Sequence, residues 1–359
     1  MSHIVVIGES WGSEEEKARR PFVGKTGMLM NHLMEEAGLL PTGSAHSINN
    51  DLWKRMYRRR DSIYENADIH LTNVLNIHPP GNKIPALCQK ERVDDRPGIK
   101  AGQYLRREYY GELDRLAMEL RSHRPRIIIG MGGLASWFLL RDPRITKIRG
   151  AVAASEFGKV LPTFHPAYLM RGAWKMRPVV IFDLAKARRE SEYAEVRRPP
   201  RFVHIPESPD DISRLFPELE NADRLSIDIE TVADQITCIG FAWSPSHVLV
   251  IPIFNWQNEN KSYWSANEEP VIWNLIKSLC ELSVPKVFQN GNYDLHFLWR
   301  KYGICVNNCA HDTLLLHHAL HPEMLKGLGF LGSLYTAEPA WKLMRQTGKN
   351  ATLKDEREE

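Results

Sequence analysis

Cysteine is scarce in this chain: five thiols (Cys88, Cys238, Cys280, Cys305, Cys309) in 359 residues, odd in number and irregularly spaced. That excludes a disulfide-stapled scaffold and reads as reduced thiols of a cytoplasmic protein. No run approaches the ~20 apolar residues that span a bilayer, and MSHIVVIGES lacks the layout of a secretory leader, so no membrane partner is expected. Charge of one sign is also lacking, since Lys and Arg (47) nearly balance Asp and Glu (44) for a net +3. With 43% hydrophobic residues there is material for real cores, and the length suggests two domains. Internal repeats and low-complexity segments are absent.

What is present is an α/β pattern, twice. HIVVIGE reads as a strand breaking at Gly8, and Thr26–Ala37 has helical periodicity that stops at Gly38. DIHLTNVL reads as a second strand leading into His78-Pro79-Pro80-Gly81-Asn82. Then come a helix over about 101–123, the strand in RPRIIIGMGG, a helix at 135–140, a short strand before His165 and a last helix at 178–189. This alternation predicts an α/β sandwich over residues 1–190. The charged, Pro199-Pro200-containing stretch at 191–201 reads as a linker. From 202 to 359 a second α/β pattern begins with a short strand, a helix at 209–220 and three strand-like runs. Helices at 270–282 and 293–302 follow. Basic clusters at Lys54-Arg55, Arg58-Arg59-Arg60, Arg121–Arg126, Arg188-Arg189 and Arg197–Arg201 are compatible with a phosphate-backbone partner, although each alone also fits an ordinary solvated face.

Within RLSIDIET, Asp228 and Glu230 stand two apart and so share one face of a strand. Like charges side by side repel unless a cation lies between them. Sixty-six residues on, NGNYD has Asp294 opening a helix after a strand at 286–289. Three converging carboxylates suit hard divalent cations in phosphodiester hydrolysis. DIET and NGNYD, with the later HDTLLLHHALHPEMLKGLGFLGSLYT, resemble the proofreading 3′–5′ exonuclease domain of family A DNA polymerases. The resemblance implies an RNase H-like exonuclease fold and a Mg²⁺ or Mn²⁺ site at Asp228, Glu230 and Asp294. That family carries a third motif, a Tyr three residues before a final Asp. Nothing after Tyr335 matches it, so a domain truncated at its C-terminus, and inactive as an exonuclease, is expected. Asp312 is the tempting substitute for the missing carboxylate, but in the family that position ends a strand and is not a ligand. Cys305, Cys309, His311, His317, His318 and His321 are crowded but lack the paired spacing of a structural zinc site.

Five fragments of the first region form an ordered set: Gly8-Glu9-Ser10-Trp11-Gly12; Pro21-Phe22-Val23-Gly24 with Gly27; Leu71-Thr72-Asn73-Val74; Pro79-Pro80-Gly81-Asn82; and Phe164-His165-Pro166-Ala167-Tyr168-Leu169. In this order they resemble the uracil-DNA glycosylase superfamily, in particular its thermophile-type family. The resemblance implies an α/β/α sandwich that takes a flipped-out uracil. Phe22 would stack on the base and Asn73 would read its N3–H and O4 against a pocket floor at Gly8. Glu9 would position the water or the cationic sugar, and His165 would stabilise the departing anion. Gly12, Pro79, Pro80, Gly81, Asn82, Pro166, Tyr168, Leu169 and Arg171 would engage DNA. Thermophile-type members hold an iron–sulfur cluster on four cysteines. With only Cys88 in this region, no iron–sulfur cluster is expected. Trp11 stands where the family usually has proline, which bears on the water-positioning loop.

Together the two regions resemble the N-terminal half of certain bacteriophage family A DNA polymerases. That implies DNA as partner, single-stranded or uracil-containing, a polymerase module elsewhere, and host cytoplasm as location. The competing expectation is a non-catalytic uracil- or DNA-binding module of such a polymerase.

Overall fold

The computed structural model describes residues 3–339 apart from 56, 101, 233, 259 and 260. The segment 340–359, on which the expectation of a truncated exonuclease domain rests, lies outside the described residues. The chain divides into two compact units, one reaching Arg197 and the other running Arg198–Leu328. Described residues 329–339, which the sequence pattern groups with the second region, cluster with the first unit.

The first unit contains β1 (Ile4–Ser10), α1 (Ser13–Ala18), α2 (Lys25–Glu36), α3 (Ser44–Trp53), α4 (Arg58–Asn66) and β2 (Ile69–Leu75). It continues with the short strands β3 (Cys88–Gln89) and β4 (Tyr104–Leu105), then α5 (Tyr110–His123), β5 (Ile127–Met131), α6 (Gly133–Leu140), α7 (Ile145–Ile148) and β6 (Ala153–Ser155). The last elements are β7 (Gly158–Thr163), α8 (Pro166–Met170) and α9 (Arg177–Glu190). The sheet runs β2-β1-β5-β7-β6, parallel except for β6. Val5, Ile7, Ile128 and Val160 pack against Leu113, Leu116 and Leu120 of α5 and Leu134 of α6. The alternate residues Val6, Ile129 and Leu161 are equally buried, so both faces are covered, as unbroken apolar runs in a parallel sheet require. The helix expected from 101 starts only at Tyr110, because Tyr104-Leu105 pairs with Cys88-Gln89. Helices α3 and α4 were not foreseen. Arg60, counted among the basic clusters, is buried and donates to the Pro21 carbonyl, so it is not a surface for phosphates.

The second unit contains β8 (Phe202–His204), α10 (Pro209–Glu220), β9 (Leu225–Val232), β10 (Gln235–Ala242), β11 (His247–Pro252) and α11 (Glu269–Glu281). After them come β12 (Lys286–Phe288), α12 (Asn292–Tyr302), β13 (Cys309–Asp312) and α13 (Thr313–Leu320). Its sheet order is β13-β12-β9-β10-β11-β8. An antiparallel meander β9-β10-β11 is extended on the β9 side by the parallel strands β12 and β13. That is the RNase H-like arrangement. Ile227, Ile229, Ile239, Phe241, Ile272 and Leu298 belong to one buried cluster beneath it. Among the described residues no helix is long and apolar enough to cross a membrane.

Candidate active site

In the first unit the predicted residues gather at the carboxyl ends of the parallel strands, where open α/β sheets place ligands. Parallel pairing sets Gly8 of β1 beside Asn73 of β2. Phe22 comes from the loop before α2, and His165 caps α8 after β7. Asn73, Phe22 and His165, with Glu9, Gly12, Asn82 and Arg171, line one pocket of about 110 Å³, and Gly8 lies behind Asn73 and Phe22. Gly8 is glycine for a steric reason: a Cβ there would lie 2.2 Å from Asn73 Oδ1 and 2.7 Å from Phe22 Cζ. Phe22 takes a left-handed φ of 56°, and its carbonyl lies 1.9 Å from where a Cβ of Gly27 would be. The turn that presents the ring therefore depends on both conformations.

His165 has a defined tautomer. Its Nδ1 accepts from the Ala167 N–H at 3.3 Å, which leaves the proton on Nε2. Burial pushes its pKa below the usual histidine value, partly countered by the Glu9 carboxylate. The imidazole is therefore neutral at pH 7 and donates through Nε2. Its ring faces Phe22 at 6.1 Å between centroids and 26° between planes. Glu9 turns toward the β5–α6 corner: a Cβ at Gly132, whose φ is +92°, would lie 2.5 Å from Glu9 Oε1 and 3.2 Å from His165 Cβ.

Two residues that the sequence reading passed over hold this pocket. The Glu15 carboxylate accepts from the Gly12, Val23 and Gly24 N–H groups at 3.1, 3.1 and 2.8 Å, tying the Gly8–Gly12 loop to the Phe22 loop. Its signal was the spacing Gly12-x-x-Glu15, an N-cap followed by an acid at the third helical position. Arg115 of α5 donates to the Asn73 carbonyl at 2.7 Å and so fastens β2 beneath the Asn73 amide.

The residues expected to face DNA differ in exposure. Tyr168 and Met170 are exposed, as are Pro80, Gly81, Asn82 and Arg171. Pro79, Pro166 and Leu169 are buried, Leu169 at 1% exposure, and present little surface to solvent. Helical geometry explains Leu169: in the single turn of α8, Tyr168 and Met170 take the solvent side and leave the residue between them to the core.

In the second unit Asp228 and Glu230 lie exposed on one face of β9, alternating with the buried Ile227 and Ile229. Asp294, in the first turn of α12, is buried and accepts from the Ile229 N–H at 3.1 Å. Burial raises its pKa to about 6, with the charges of Asp228 and Glu230 adding to the rise. The donor set is all oxygen and mutually repulsive, which fits a hard divalent cation. Yet the three ligating oxygens do not all come within 4.8 Å of one another. Tyr293 and Thr231, a pair the sequence did not single out, join α12 to β9 through their hydroxyls at 2.6 Å. Asp312 is fully engaged elsewhere, accepting from the N–H groups of Asn290, Gly291, Leu314 and Leu315. It staples the β12–α12 loop to the start of α13. Among the described residues the cysteines and histidines of 305–321 form no ligand cluster.

Residues 1–185 match the family described as Uracil DNA glycosylase superfamily, and residues 203–354 match the 3′-5′ exonuclease family. The chain is 29% identical over 191 residues to the type-4 uracil-DNA glycosylase of Thermotoga maritima, covering 52% of this chain and 77% of that protein. It is 21% identical over 346 residues to the DNA polymerase of Bacillus phage SP01, covering 88% of this chain. It spans only 32% of that polymerase's length. RNase D of Escherichia coli, an exoribonuclease, is similar at 15% identity and a TM-score of 0.31, over 44% of this chain and 40% of that one. The pocket at the strand ends and the extent of these matches lead to one conclusion: this chain belongs to the uracil DNA glycosylase superfamily and carries a 3′–5′ exonuclease-family domain behind it.

Proposed function

We propose that residues 1–190 excise uracil from DNA by hydrolysing the N-glycosidic bond, and that residues 202–359 are a partial, cation-binding 3′–5′ exonuclease-type domain with little or no nuclease activity of its own, joined by a linker at 191–201. The observation that carries the first part is the convergence of Phe22, Asn73 and His165 on one pocket with Glu9 at its wall, Gly8 leaving room for the first two. Phe22 offers a ring face to the flipped base. The Asn73 amide accepts from N3–H and donates to O4, a pattern that cytosine reverses. As the C1′–N1 bond breaks, its electron pair moves into the uracil ring, and His165 Nε2–H donates to O2 where the charge collects. The water oxygen bonds to C1′ and its proton passes through solvent to the uracil anion, with the Glu9 carboxylate orienting the water and facing the cationic sugar. The preformed neutral imidazole suits this role, since it is already a donor at pH 7.

In the second domain Asp228, Glu230 and Asp294 would hold Mg²⁺ or Mn²⁺. When bound, such a cation supplies positive charge at the scissile phosphate. The likeness to a phage DNA polymerase suggests that both domains work beside a polymerase. The test is an oligonucleotide with one central deoxyuridine. Formation of an abasic site supports excision, and His165→Ala should slow it by about 10²-fold or more. Tight binding without base release would instead favour a non-catalytic uracil reader.

A further inference from the structure

At the other end of β2 from Asn73, a cluster lies outside both sites. His70 is the second residue of β2, while Glu119 and His123 stand four apart on α5 and so share the helix face turned toward that strand. His70 Nε2 is 2.5 Å from Glu119 Oε1, and the His70 and His123 rings stack at 4.1 Å between centroids. One ligating atom from each residue lies within 4.8 Å of the others, and among the described residues only this trio does so. We propose that His70, Glu119 and His123 form a binding site for a borderline transition-metal ion of the Zn²⁺ class.

The donor chemistry selects the ion. Two imidazole nitrogens and one carboxylate oxygen suit Zn²⁺, Co²⁺ or Ni²⁺, with water in the remaining position, whereas Mg²⁺ and Ca²⁺ prefer oxygen alone. The carboxylate is already oriented from behind. Arg115 Nη1 donates to Glu119 Oε2 at 2.6 Å and Thr72 Oγ1 at 3.0 Å, which leaves Oε1 for the imidazole side. Such outer contacts commonly hold a ligating group in register. All three side chains are half-buried, so an ion can reach them.

His70 Nε2 and Glu119 Oε1 face each other directly, so an ion entering between them replaces the hydrogen bond that joins them, with the imidazole proton on Nδ1. The bound ion would clamp α5 to β2. Those are the two elements joined near the pocket by Arg115 and the Asn73 carbonyl.

The test uses the full chain, stripped with chelator and dialysed against Zn²⁺, with Co²⁺ as spectroscopic probe. One equivalent of Zn²⁺ should bind, and His123→Ala and Glu119→Gln should each weaken it by at least about tenfold. Because the two variants remove different ligands, a folding defect in one leaves the other informative, and circular dichroism identifies it. Co²⁺ should give d–d bands without thiolate charge transfer. Absence of bound Zn²⁺ in the native chain, equal binding in both folded variants, or a thiolate band that sends the ion to the cysteines would each overturn the site.

Discussion

Gly8→Ala tests the pocket with a single methyl group. The ideal Cβ would stand 2.2 Å from Asn73 Oδ1 and 2.7 Å from Phe22 Cζ, whereas real carbon contacts begin near 3.0 Å. Neither backbone can retreat, because Gly8 and Asn73 are partners in a parallel ladder whose next strand, β5, is also fully buried. The strain must fall on the Asn73 amide and the Phe22 ring, the groups assigned to read and stack the base. Overpacking of this kind costs about 1–3 kcal/mol of stability. Displacing the reading group by ~1 Å should lower excision on the order of 10²-fold. Single-turnover cleavage of a deoxyuridine oligonucleotide measures the second effect, and chemical denaturation the first. Gly111→Ala is the matched control. It lies in α5 with nothing within 4 Å of its Cβ, and should leave excision unchanged while stabilising by roughly 0.5–1 kcal/mol. Wild-type rate and wild-type stability in Gly8→Ala would refute the packing argument.

Glu15→Ala leaves three backbone N–H groups without their acceptor, so it should cost about 1.5–3 kcal/mol and slow excision; Glu15→Gln, keeping one oxygen, should lie between, as read by denaturation and cleavage together. Asp294 titrates at about 6 rather than 3.8, chiefly through burial, so the folded chain holds a proton that the unfolded chain releases between those values. Stability of the second unit should therefore fall as pH rises through that window, and Asp294→Asn should flatten the fall in denaturation midpoints recorded across it. Asp312→Ala should destabilise the second unit by about 1–2 kcal/mol through loss of the α13 cap, and Mg²⁺ or Mn²⁺ binding followed by calorimetry should survive it, since its oxygens are already taken.

The residue types of both sites were legible in the chain because each depends on short-range order. Asp228 and Glu230 share a face through the two-residue period of a strand, and the buried Ile227 and Ile229 that alternate with them follow from the same period. Gly8, Phe22, Asn73 and His165 are separated by up to 157 residues, and it was the order of their fragments, through a family resemblance, that marked them; Gly8, Asn73 and His165 stand at or just after strand ends and Phe22 in the loop before α2. What only the tertiary structure decided were the contacts between elements. No pattern in the sequence assigned a use to Asp312, and the structure shows it accepting from two N–H groups of the β12–α12 loop and two of the first turn of α13. The burial of Leu169, between the exposed Tyr168 and Met170, follows from how the single turn of α8 is set against the core. The role of Glu15 and the meeting of His70 with Glu119 and His123 rest on helix placement against a sheet, which no local pattern encodes. Hydrogen-bond valence and burial are settled only when distant backbone arrives, and that is why these residues could not be sorted from the sequence.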